Sequence, residues 1–198
     1  MHYRNRVRGC FVRVSVILPL MLAMAGTAGS TPPPIVRNQP LMLPVAPTRP
    51  GQAQSTAEPA EFAGIVASHN RARRAVGVPE VAWSGELAQT AQGWANTLRA
   101  SNNCDMRHSG ASGIGENLAW ASGQHLSPAA VVAMWVDEAR SYNAASTICA
   151  AGAMCGHYTQ VVWHSTRFVG CGMARCGDSE VWVCNYSPPG NYVGQRPY

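Results

Sequence analysis

The chain has 198 residues, 46% of them hydrophobic, which suits one ordinary globular domain. Its formal charge is +5, but residues 1–28 carry four arginines and no acid, so the remainder is near +1. That near-neutral balance gives no support to nucleic-acid binding or to electrostatic docking on a membrane.

At the N-terminus, Arg4, Arg6, Arg8 and Arg13 precede the apolar run Val14 to Ala25, and the small residues Ala23 to Gly29 follow. This is the basic, apolar, small-residue order of a secretory signal peptide over residues 1–28, with cleavage expected after Ala25 or Ala28. The apolar run of twelve residues is well short of the roughly 20 needed to span a bilayer, so no transmembrane span is expected. Residues 29–57 hold seven prolines among Ser, Thr, Gly and Gln, the composition of an extended spacer. The compact domain is expected over residues 58–198. It shows no internal repeat, and a monomer is expected.

Cys10 departs with the leader, and Cys104, Cys149, Cys155, Cys171, Cys176 and Cys184 remain. Six cysteines without a CxxC pair, behind a secretory leader, read as three disulfides rather than a thiolate zinc site. Fifteen pairings are open on spacing alone. The destination is therefore extracellular, or periplasmic in a bacterial host.

Three helical patterns follow. Phe62, Ile65, Val66, His69, Ala72 and Val76 recur at helical spacing, and Gly77 and Pro79 end that helix. A second helix begins near Ser84 with Leu87, Ala91, Trp94, Ala95 and Leu98 on one side. The third has Ser127 as cap and Pro128 in its first turn. Its expected stripe is Val131, Met134, Trp135, Glu138 and Tyr142. The segments RFVGCGMARC and SEVWVCNYS then read as two strands around Gly177-Asp178. Helices first and strands last argue for an α+β domain with helices packed on a sheet.

Against this pattern, His69 and Glu138 sit where apolar residues are expected, and so does His157 if GHYTQ is helical. Glu116, flanked by Gly113 and Gly115, is a fourth candidate. Buried ionisable groups are costly unless paired, and two imidazoles with a carboxylate could hold a divalent metal. A hydrogen-bond network locking helices to sheet accounts for the same spacing. His157 and His164 are seven residues apart, two turns of a helix.

The motifs HNRAR (69–73), GENLAW (115–120), VVAMWVDEARSY (131–142), GHYTQVVWHST (156–166) and VWVCNYSPPGNYVGQRPY (181–198) together resemble the CAP superfamily of cysteine-rich secretory, antigen five and pathogenesis-related group-one proteins. The likeness is greatest to the plant pathogenesis-related branch and its bacterial relatives, because no cysteine-rich tail follows PPGNYVGQRPY. It implies a three-layer α-β-α sandwich, disulfides Cys104–Cys176, Cys149–Cys155 and Cys171–Cys184, and a cleft tetrad of His69, Glu116, Glu138 and His157. It further implies that His69 and His157 hold zinc or another divalent ion such as Mg or Ca, with lipid, sterol or an extracellular protein as partner. His164 then falls at a variable surface position.

The function expected is a secreted, non-enzymatic binding protein related to defence or host interaction. A metal-dependent peptidase or esterase with Glu116 or Glu138 as general base is the alternative. The third reading is a precursor whose residues 188–198 are released as a signalling peptide.

Overall fold

The computed structural model describes residues 56–198. The expected leader and nearly all of the expected spacer lie outside the described residues. In chain order the elements are a 3-10 turn at Ala60–Phe62, α1 (Ile65–Ala75), β1 (Ala82–Trp83), α2 (Gly85–Asn102), β2 (Gly115–Ser122) and α3 (Pro128–Asp137). A second 3-10 turn at Glu138–Ser141 follows, then β3 (Tyr142–Asn143), β4 (Ile148–Cys149), α4 (Gly156–Val161), β5 (Phe168–Cys176) and β6 (Ser179–Ser187).

The side chains of β6 alternate strictly, and this alternation builds the layers. Trp182, Cys184 and Tyr186 pack with Ala119, Ile65, Val131, Trp135 and Val161 on one face. Val181 and Val183 pack with Leu118, Ala174, Ala91, Ala95 and Leu98 on the other. The sheet runs in the order β1-β5-β6-β2, with β2 on an edge, while β3 and β4 form a separate ribbon. Helices α1, α3 and α4 therefore cover one face and α2 the other, an α-β-α sandwich. Two glycines set the α2 side. A Cβ at Gly170 would lie 2.3 Å from the Ala88 nitrogen, and one at Gly172 would lie 2.3 Å from the Gln92 Cα. Where β1 ends, the Gln92 amide takes over the free edge of β5, donating to Met173 O at 2.8 Å and accepting from Met173 N at 3.0 Å.

Helix α3 differs from its expected stripe. Val131, Val132 and Trp135 are buried, Met134 is exposed, and the helix stops at Asp137. The run AAVVAMWV is apolar on every side, so its periodicity does not single out one face. Ser127 does cap the helix, accepting from Ala130 N at 3.2 Å.

The disulfides are Cys104–Cys176, Cys149–Cys155 and Cys171–Cys184. Cys171 and Cys184 are direct cross-strand partners in the β5–β6 register. Cys104–Cys176, spanning 72 residues, fastens the end of α2 to the end of β5. Loop-closure entropy gives such a bridge about 4 kcal/mol and the short Cys149–Cys155 ring about half that. The short bridge thus acts mainly on local shape, at the approach to α4.

The HNRAR motif is a set of buried pins. Asn70 pairs with the backbone of Val81 at 3.0 and 2.8 Å, as a neighbouring strand would. Arg73 is fully buried and donates to the carbonyls of Pro79, Val161, Trp163 and Thr166 at 2.7–2.9 Å. Burial and nearby Arg167 pull its pKa down to about 10, so it remains charged at neutral pH. Glu180, also buried, ties the start of α3 to the sheet. It accepts from Leu126 N at 2.7 Å, Trp182 Nε1 at 3.0 Å and His125 Nδ1 at 3.0 Å.

Candidate functional site

A cleft of about 430 Å³ opens beside the first residues of edge strand β2. His108, Glu116 and Asn117 form one wall, and Cys149, Met154, Cys155 and His157 form the other. Two histidine–carboxylate pairs meet there.

The first pair comes from the 3-10 turn that follows α3 and from α4. Glu138, one residue past α3, accepts from His157 Nδ1 at 2.7 Å through Oε1. Its Oε2 accepts from His157 N at 3.0 Å and Tyr158 N at 3.3 Å, so one carboxylate orients the ring and satisfies the exposed amides of α4. The Trp135 indole stacks on the His157 ring with centroids 6.2 Å apart.

The second pair comes from the loop between α2 and β2. His108 Nδ1 meets Glu116 Oε1 at 2.8 Å, and Ser109 N donates to the same oxygen at 2.9 Å. His108 is 64% exposed and Glu116 only 8%. Trp94 holds this loop, donating from Nε1 to Arg107 O at 2.7 Å beneath the Arg107 guanidinium. Glu116 Oε2 and Asn185 Oδ1 are buried without a hydrogen-bond partner, and these two residues are direct partners in the β2–β6 register.

His69 stands apart from the cleft, contrary to the expected tetrad. It is fully buried, with Nδ1 on Ile65 O at 2.8 Å and Nε2 on Tyr186 Oη at 2.9 Å. Burial pulls its pKa down to about 4, so the ring is neutral at pH 7. Facing a carbonyl, Nδ1 must carry the proton, and Nε2 accepts from the Tyr186 hydroxyl. Burial raises the Tyr186 pKa far above its usual value and keeps the phenol protonated. Asn117 completes the chain, its Nδ2 reaching Tyr186 Oη and His157 O, both at 3.1 Å. Both ring nitrogens of His69 are thus engaged within the fold, whereas His157, expected beside it as a ligand, lines the cleft.

His108 was missed by periodicity because it lies in a polar loop. The available signal was its place eight residues before Glu116, across a turn in which Gly110 and Gly113 take positive φ. His164 is exposed and lies outside α4, so its two-turn relation to His157 does not form. Among the described residues no three His, Cys, Asp or Glu side chains converge as a metal cluster. Nor is any helix there long and apolar enough to cross a membrane.

The family model described as CAP, cysteine-rich secretory protein family, matches residues 66–186. The chain belongs to the CAP family. Pathogenesis-related protein PR-1 of Medicago truncatula is 48% identical over 131 residues, 65% of this chain and 74% of its own. Among solved structures, venom allergen-like protein 4 of Schistosoma mansoni is 28% identical, covering 68% of this chain and 91% of its own with a TM-score of 0.54. NaASP2, solved with Zn2+, is 22% identical with a TM-score of 0.56 over 73% of this chain and 87% of its own, a likeness of fold. This CAP domain is thus of the pathogenesis-related type, and it carries its histidine–carboxylate pairs at the open edge of the sheet.

Proposed function

We propose that this CAP protein acts outside the cell, in defence or host interaction, as a binding protein whose cleft takes a divalent cation between His108 and His157. One observation carries the reading: both histidines line the cleft, and each has Nδ1 fixed by a carboxylate. A metal-binding histidine characteristically donates its other ring N–H to a carboxylate, which sets the tautomer and turns Nε2 outward as the ligand. Glu116 Oε2, buried without a partner at the same wall, adds a negative oxygen that a cation would compensate.

The donor set suits zinc, which accepts imidazole and carboxylate, and a bound ion would supply Lewis acidity and positive charge to the cleft. Two imidazoles fall short of the three protein ligands usual in catalytic zinc sites, which favours binding over hydrolysis. Zinc titration by calorimetry tests the reading. Wild-type protein takes up zinc and His108→Ala does not; absence of uptake by wild type would remove it.

A further inference from the structure

The C-terminal tail, residues 188–198, is bound to the same elements that build the cleft. Asn191 lines the cleft beside Gly156 and His157. Its Nδ2 donates to Gly156 O at 2.8 Å, and its Oδ1 accepts from Thr159 Oγ1 at 2.7 Å. Both partners belong to α4, on either side of His157. The Asn191 backbone is left-handed, φ 60°, a region that Asn and Gly adopt readily. Thus both the backbone and the side chain at this position call for asparagine.

A second connection runs through Gln160. Gly190 N donates to Gln160 Oε1 at 2.9 Å. On the other side Gln160 presses on Gly115, where a Cβ would lie 2.2 Å from Gln160 Oε1. A Cβ on Gly190 would lie 3.0 Å from Gln160 Nε2, so one side chain is clamped between two glycines. Gly115 is the residue before Glu116. The tail therefore reaches one histidine–carboxylate pair through α4 and the other through Gln160.

We infer that Asn191, assisted by Gly190, is a positioning residue of the cleft, and that the cleft holds its shape only with the tail docked. Asn191 fixes the first turn of α4 and hence His157; Gln160 carries the same restraint to Glu116. This rests on the cation reading only for its ligand. By linkage, whatever tightens the cleft also tightens the tail, so cleft occupancy and tail release oppose each other.

The test uses the full chain and three variants. Asn191→Gly keeps the left-handed backbone and removes both side-chain bonds. Asn191→Asp keeps the acceptor for Thr159, and Val193→Ser alters a fully exposed neighbour. Amide exchange across α4 should be about tenfold faster in Asn191→Gly, with α2 unchanged, as expected from two lost hydrogen bonds. The His157 ring resonances should move while those of His125 stay, and zinc should bind about tenfold more weakly. Asn191→Asp should fall between, and Val193→Ser should match wild type. Unchanged α4 exchange and His157 resonances in Asn191→Gly would overturn the inference. If wild type takes up no zinc, the cation reading falls, while exchange and resonances still decide the role of the tail.

Discussion

His69 and His157 both lie against Trp135, with ring centroids 6.3 and 6.2 Å from the indole, yet their surroundings give them opposite roles. His69 is sealed between a carbonyl of its own helix and a buried tyrosine, so Nδ1 is held within α1 and Nε2 ties α1 to β6. His157 is 23% exposed, and its carboxylate partner takes only Nδ1. The fully buried ring is the one with both nitrogens engaged; the ring with a free edge is the partly exposed one. The joint between these centres is Asn117, which bonds Tyr186 on one side and the His157 carbonyl on the other.

Four changes sharpen the contrast, from the largest effect downward. Arg73→Met strips the donors from four buried carbonyls on the sealed side, and should cost on the order of 3–5 kcal/mol. A fall in the urea midpoint at constant m would show it.

Acid should act on the sealed side next. His69 titrates near its ordinary 6.5 when unfolded and near 4 when folded. Between those values the unfolded chain holds the extra proton, so stability falls as pH drops through that window and levels off below it. The integrated loss is about 3 kcal/mol. Unfolding free energy measured from pH 7 to pH 4 should show this slope in wild type, and His69→Gln should flatten it.

Glu138→Gln bears on the open side. It loosens the orientation of His157 and should weaken zinc binding about 10- to 100-fold, with the tertiary fold retained. Calorimetry paired with a melting curve separates the two effects. His108→Ala, at an exposed position, should move stability by only about 0.5 kcal/mol. A larger drop in its melting temperature would make His108 structural too.

Much of the fold is legible in the residues themselves. The alternation in SEVWVCNYS yields β6 and both of its faces, and Ser127-Pro128 marks the start of α3. The stripe of α1 correctly places His69 inside. What spacing does not contain is the direction of a buried polar group. A histidine on an apolar stripe looks the same whether it meets Tyr186, 117 residues away, or a cleft. His108 shows the reverse problem, because a loop residue has no period and acquires its meaning only when α2, β2 and the Cys104 bridge bring it to Glu116. Spacing alone likewise leaves the partner of Cys171 open; the family resemblance supplies Cys184, and the β5–β6 register places the two opposite each other.

The most direct test of this division is a zinc titration of wild type, His108→Ala and His157→Ala, with melting curves recorded on the same samples. Both substitutions should abolish measurable zinc uptake, a larger loss than the roughly 10- to 100-fold expected for a second-layer partner such as Glu138, while melting stays near wild type. Full zinc uptake by His108→Ala would contradict it.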